Sequence, residues 1–146
     1  GILLKNFTDE EILYFASNDV NEFYTLQKEI KWNVLGGGVS MLSMGPGLVL
    51  SIYIYYNGNF PDSISNPIPI LSGIIGAPII TSEILSNISN NIPKNENYIY
   101  FSHYNKTLYD KLIKKQSKKI KKQFIRKGML YWLIPMFIAS QLDKED

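Results

Sequence analysis

Residues 32–56 read WNVLGGGVSMLSMGPGLVLSIYIYY and belong to a long uncharged stretch. No charged side chain occurs in the 30 residues 32–61. A helix needs about 20 mostly apolar residues to cross a bilayer, and Trp and Tyr flank this stretch as they do at membrane–water interfaces. We therefore predict a first membrane span over residues 33–56, with a kink near Pro46.

A second apolar run covers residues 68–92, after a loop-forming stretch rich in Asn, Gly, Pro and Ser at residues 57–67. It predicts a second span over residues 68–88, paired with the first as a helical hairpin within residues 32–92. Small residues let helices approach closely in lipid. The glycines expected to form this packing face are Gly36, Gly37, Gly38, Gly45, Gly47, Gly73 and Gly76.

The acidic N-terminal segment, residues 1–31, has three Lys against six acids, a net charge of −3. Residues Thr8–Glu11 match a capping box, in which the Thr hydroxyl and the Glu carboxylate bond each other's backbone N–H. This predicts a short helix over residues 9–17. A second amphipathic helix is expected to start at Asn18 or Asp19.

The C-terminal segment, residues 93–146, is expected to begin with a basic amphipathic helix. Residues 94–127 hold eleven basic and two acidic residues, a net of +9. Helical spacing predicts an apolar stripe of Tyr104, Leu108, Leu112, Ile120 and Phe124, with Tyr109, Ile113 and Ile125 beside it. The predicted basic face consists of Lys114, Lys115, Lys118, Lys119, Lys121, Lys122, Arg126 and Lys127.

Residues 129–142 are apolar again, and we expect Gly128 to end or hinge the helix before them. As a helix, 14 residues extend about 21 Å, short of the ~30 Å hydrocarbon core. We expect a buried or interfacial segment, with a thin third span as the alternative. The whole chain is thus expected to be all-α: a membrane hairpin between short N-terminal helices and a C-terminal basic amphipathic helix.

Little in the sequence points to chemistry. There is no cysteine and one histidine, His103, so these residue types do not supply a zinc or haem site. No nucleophile–base pair is evident. We expect no enzyme activity, no catalytic, metal or cofactor-binding residue, no cofactor and no small-molecule substrate. Glu83, inside the second apolar run, is expected at the helix end near the interface or paired with a lysine of a partner, the alternative being a proton or ion relay.

Two alternatives remain open at this stage. The apolar runs also suit a hairpin buried in a soluble protein or inside a large complex. The basic helix suits a solvated face, a surface for anionic lipid, or a nucleic-acid contact, which the scarcity of Arg disfavours.

Lysines flank both spans on one side, so the positive-inside rule places both flanking segments on the same, inner face. A composition of 21 Ile, 14 Lys and 13 Asn but one Arg indicates AT-rich codons. We expect an integral protein of a bacterial inner membrane, or of an organellar membrane in an AT-rich eukaryote.

Residues 71–128 resemble a group of small membrane proteins from Bacteroidetes. The matching pieces are residues 71–78 (LSGIIGAP), 104–109 (YNKTLY), 118–122 (KKIKK) and Gly128. The resemblance implies a membrane protein with a Tyr-x-x-x-Tyr-like, Lys-rich helix and implies no catalytic residues.

From these features we expect a non-catalytic accessory or structural subunit of a larger membrane complex. Its partners would be lipid and other protein subunits. The alternative is a membrane-anchored binding module whose Lys-rich helix contacts anionic lipid or nucleic acid.

Overall fold

The computed structural model describes residues 5–57 and 68–142. These residues form helices joined by turns, with no strand among them, and the all-α prediction is confirmed. The helices are α1 (Asp9–Phe23), α2 (residues 26–57), α3 (Ile68–Ser86) and α4 (His103–Leu142), with a short 3-10 helix at Glu96–Tyr100. Apart from Asn57, the predicted loop at residues 57–67 lies outside the described residues.

Helix α1 begins with the predicted capping box, which is confirmed. The backbone N–H of Thr8 donates to the Glu11 carboxylate at 2.8 Å, and the Glu11 N–H donates to the Thr8 hydroxyl at 3.3 Å. The prediction of a new helix starting at Asn18 or Asp19 is wrong, because α1 continues to Phe23. The Asn18 amide donates to the Glu22 carboxylate one turn later instead of capping a helix. One buried stripe runs through this point: Ile12, Ala16 and Val20.

Helix α2 consists of four successive segments, Leu26–Lys31, a π-helical turn at Trp32–Gly36, Gly37–Leu42 and Met44–Asn57. The helix is interrupted at Ser43, three residues before Pro46. The sequence predicts a kink near Pro46. Proline has no N–H to donate to the carbonyl four residues earlier, and its ring crowds that carbonyl. The position of the interruption follows from this local loss of helical hydrogen bonding.

The chain's N-terminal part runs parallel to α4 in a nearly constant register. Hydrogen bonds join Tyr104 to Asp9, Tyr109 to Asp19 and Ser117 to Tyr24, at sequence separations of 95, 90 and 93 residues. The register continues into α2, where a Cβ on Gly38 would lie 3.2 Å from the Trp132 ring. Helices α1 and α2 therefore lie end to end along one side of α4.

Helix α3 packs antiparallel to the second part of α2. A Cβ on Gly47 would lie 2.6 Å from the Ala77 side chain, and one on Gly73 would meet the Ser51 side chain. The two helices thus form the predicted pair of antiparallel helices.

An aromatic cluster forms the core where α1, the 3-10 helix and the start of α4 meet. Phe101 and Tyr109 are almost fully buried against Ile12 and Ala16. The Phe101 and Tyr109 rings contact edge to face at 5.6 Å, and such pairs contribute about 0.5–1.5 kcal/mol beyond burial. This core lies at the charged end of the molecule.

Helix α4 runs without a break through Gly128, so the expected end or hinge there is wrong. Gly128 is buried against the backbone of α2, where a Cβ would collide with the Asn33 carbonyl. The glycine permits close packing and leaves the helix intact. Beyond it, we expected a buried or interfacial segment, and the buried alternative is wrong. Seven large apolar side chains described there are 43–67% exposed: Leu130, Tyr131, Trp132, Leu133, Ile134, Phe137 and Ile138.

Candidate functional site

The described residues divide into a charged half and an apolar half. Residues 33–57, 68–82 and 128–142 carry no charged side chain. Many large apolar side chains of these segments point outward with 51–78% of their surface exposed: Leu42, Val49, Leu50, Ile54, Ile75, Ile80, Leu130, Ile134 and Phe137. Soluble monomers rarely expose continuous apolar patches larger than a few hundred Å². The apolar half is thus a candidate contact surface.

By length and composition, one described helix, Gln27–Asn57, is long and apolar enough to cross a membrane. The apolar part described in α3, Leu71–Ser86, is shorter. In the third apolar segment the helical residues from Met129 to Leu142 extend about 21 Å at 1.5 Å per residue.

The predicted packing glycines fall into three groups. Gly36, Gly37 and Gly38 face α4, although we expected them to face α3. A Cβ on Gly37 would lie 2.5 Å from the carbonyl carbon of Gly128, and one on Gly36 would lie 2.7 Å from Ile125. The α2–α3 contact is made by Gly47 and Gly73, whose surroundings are given above. A Cβ on the remaining two, Gly45 and Gly76, would meet no atom of the described residues within 4 Å.

The predicted basic face is divided among different environments. Two of its lysines pair with Glu83 of α3: the Lys118 Nζ lies 2.6 Å from Oε1, and Lys122 bonds Oε2. Lys127 pairs with Glu29 of α2 at 2.6 Å, which raises the pKa of this lysine. Lys121 is buried. Four members are exposed and make no ion pair with a described residue: Lys114, Lys115, Lys119 and Arg126.

Glu83 therefore pairs with lysines, but both belong to the same chain, whereas we expected a lysine of a partner. These ion pairs and the Glu29–Lys127 pair lie where the charge-free segments begin. Trp32 lies at the same junction, with its ring centre 5.6 Å from the Lys121 ammonium. Charged side chains thus form a collar around the three helices at the base of the apolar half.

The face that α4 buries differs from the predicted stripe. Tyr104, predicted on the stripe, is 61% exposed. The buried side chains are instead spaced by four or eight residues and include polar ones: Asn105, Tyr109, Ser117, Lys121 and Ile125. Tyr109 and Ile125 were expected beside the stripe. Sequence reasoning missed the polar members Asn105, Ser117 and Lys121 because it searched for apolar residues, whereas each of these three makes a hydrogen bond across the contact.

Two of these hydrogen bonds tie α4 to α1. The Tyr109 hydroxyl donates to the Asp19 carboxylate, and burial together with this carboxylate raises the pKa of Tyr109. The hydroxyl groups of Tyr24 and Ser117 are 2.6 Å apart, and the Asn90 amide donates to Tyr24 at 2.8 Å. The hydrogen bonds around Tyr109 and those around Tyr24 together hold the linker between α3 and α4, residues 87–102, beside α1.

Comparison of the chain with protein-family models, curated proteins and solved structures found no match. Among the residues described, no group of three or more His, Cys, Asp or Glu side chains could hold a metal ion. What the protein does is therefore inferred from its surfaces.

Proposed function

We propose that the protein is a membrane-embedded, non-catalytic subunit of a larger membrane protein complex. The observation that carries this proposal is the apolar half. Three adjacent helical segments lack any charge and expose aliphatic and aromatic side chains outward. A bilayer favours such a surface, whereas water disfavours it by about 25 cal/mol per Å² of apolar area.

The distribution of charge supports the same proposal. The charged collar, which holds Glu83 with its lysines and the Glu29–Lys127 pair, marks one edge of the apolar half. Acids and lysines near a membrane are expected to pair or to lie at the interface. With the basic part of α4 on the inner face, α2 leaves this face, α3 returns to it and the end of α4 enters the membrane again.

A role as a subunit is supported by an apolar groove at the end of α4. The groove has a volume of about 760 Å³ and is lined by Leu130, Leu133, Ile134, Phe137 and Ile138 of α4 and by Met44 of α2. Met44 directly follows the interruption of α2 at Ser43. We propose that an apolar helix of another subunit packs into this groove.

Membrane embedding is tested by carbonate extraction and by cysteine labelling. The chain has no cysteine, so each introduced one reports alone. A cysteine replacing Lys119 should react with a water-soluble maleimide, and one replacing Val49 should react only after detergent is added. Equal labelling at both positions, or release of the protein by carbonate, would contradict embedding. The subunit role predicts that native mass spectrometry of the gently solubilised protein shows additional chains, and an isolated monomer would contradict it.

A second candidate, a membrane-anchored binding module, is favoured by one observation. Lys111, Lys115, Lys119 and Arg126 are exposed and fall on one stripe of α4. Because α4 is continuous into the apolar half, embedding its end makes this stripe project away from the bilayer and not lie flat on it. An acidic protein surface would then be a better partner than headgroups for the distal lysines.

A further inference from the structure

A cavity of about 260 Å³ opens between the linker after α3 and the middle of α4. Three of its lining residues are lysines, Lys114, Lys118 and Lys121, and one is an acid, Asp110. The acid is already bound, because Lys94 lies 3.3 Å away and the Tyr98 hydroxyl donates to it at 3.0 Å. Most other polar groups of the lining are engaged within the chain: Lys118 pairs with Glu83, and the Ser117 hydroxyl and the Asn90 amide bond Tyr24. The cavity thus offers the Lys114 ammonium, the Ser89 hydroxyl and an excess of positive charge.

Lys121 is the unusual member of this lining. Only 2% of its surface is exposed, and its ammonium donates to the backbone carbonyl of Ile88. No carboxylate of the described residues pairs with it. Burial lowers the pKa of Lys121. A buried ammonium has three donors and is costly without a counter-charge, so an anion in the cavity would complete its environment.

We propose that this cavity binds a phosphate group, held by Lys121 with Lys114 and the Ser89 hydroxyl. Pockets for whole small molecules usually exceed about 300 Å³, so this smaller cavity fits a compact anionic group. The phosphate comes either from a soluble phosphate compound or from a lipid headgroup. Lys121 precedes Gly128 by seven residues, about 10 Å along the helix, which is within reach of a headgroup layer. The binding site does not rest on membrane embedding.

The test compares two probes on the full chain purified in a neutral detergent. Inorganic phosphate is titrated by calorimetry. Separately, the protein is placed in nanodiscs of phosphatidylcholine with or without phosphatidylglycerol, and the retained lipid is counted by native mass spectrometry. Lys121→Met is the main variant. Lys119→Met is its matched control, since it removes the same charge from an exposed position on the same helix.

At least one probe should bind the natural chain. Lys121→Met should weaken that binding about tenfold or more, as expected for loss of a charge-assisted hydrogen bond, and Lys119→Met by less than about twofold. Binding of inorganic phosphate identifies a soluble source, and selective retention of phosphatidylglycerol alone identifies a lipid. Failure of both probes, or equal weakening by the two variants, would overturn the proposal. Should Lys121→Met not fold, Lys114→Met, at an exposed lining position, must weaken binding, and unchanged binding would overturn the proposal equally.

Discussion

Gly37 and Gly128 bring the backbones of α2 and α4 into direct contact. A Cβ on Gly37 would lie 2.5 Å from the carbonyl carbon of Gly128 and 2.7 Å from the Met129 nitrogen. Neither neighbour is a flexible side chain that could move aside. This contact joins the charged and apolar halves, so the position of the whole C-terminal part of α4 depends on it.

Gly128→Ala is therefore expected to destabilise the protein by about 1–3 kcal/mol, the usual cost of overpacking. Gly45→Ala is the control, because its Cβ would enter open space among the described residues and alanine favours a helix by up to about 1 kcal/mol. Thermal unfolding in detergent measures the stability of both variants. Similar unfolding temperatures for the two variants would show that the close contact does not contribute.

Glu83→Gln should lower the unfolding temperature, since it leaves Lys118 and Lys122 close together without their shared carboxylate. The carboxylate is partly exposed, so its loss should matter less in 1 M salt, where the Debye length is about 3 Å. Glu10→Gln is the control, as Glu10 is exposed and forms no ion pair with the described part of the chain. A salt-independent difference between Glu83→Gln and the natural chain would argue against the ion pairs.

Tyr109→Phe should cost about 1.5–3 kcal/mol at neutral pH through the lost hydrogen bond to the Asp19 carboxylate. The folded-state pKa of Tyr109 is raised above the ordinary value near 10. Its contribution to stability is therefore fully present below pH 10 and is lost as pH rises from 10 toward the folded pKa. The difference in the free energy of unfolding between the natural chain and Tyr109→Phe should therefore become smaller as the pH rises above 10. Tyr14→Phe, at an exposed position, should follow the natural chain throughout.

Reversal of the exposed stripe by Lys111→Glu, Lys115→Glu and Lys119→Glu should leave folding intact and abolish salt-sensitive binding to an acidic partner. These positions are chosen because Lys118, Lys121 and Lys122 hold the fold together. Pull-down from solubilised membranes at low and high salt measures the effect. Unchanged partner recovery would indicate that the stripe is only solvated.

Patterns that depend on near neighbours were predictable from the sequence. The capping box at Thr8, the apolar runs and the Lys-rich helix each follow from spacing within a few residues. The glycines could be recognised as packing residues, but their partners could not. Residues 36–38 contact α4 and not α3, a choice set by the three-dimensional arrangement of three helices.

Features that arise from long-range pairing could not be predicted. Lys121 was grouped with solvated lysines because nothing local distinguishes it from Lys119 or Lys122. Its burial follows from the position of Ile88 and Trp32 against α4. Likewise, Asn18 looks like a helix cap in sequence, and only the burial of Val20 beyond it explains why α1 continues.

The parallel register between the N-terminal part and α4 has a consequence for synthesis. Each partner of α1 emerges from the ribosome about 90 residues after it, a delay of roughly 5–20 s at about 5–20 residues per second. Helices α2 and α3, being adjacent in the chain, can associate during this interval. Until α4 has been synthesised, the stripe of α1 formed by Ile12, Ala16 and Val20 has no helix to pack against and stays exposed. Exposed apolar surface of this kind favours aggregation, so chaperone contact with residues 9–23 during synthesis would be an advantage.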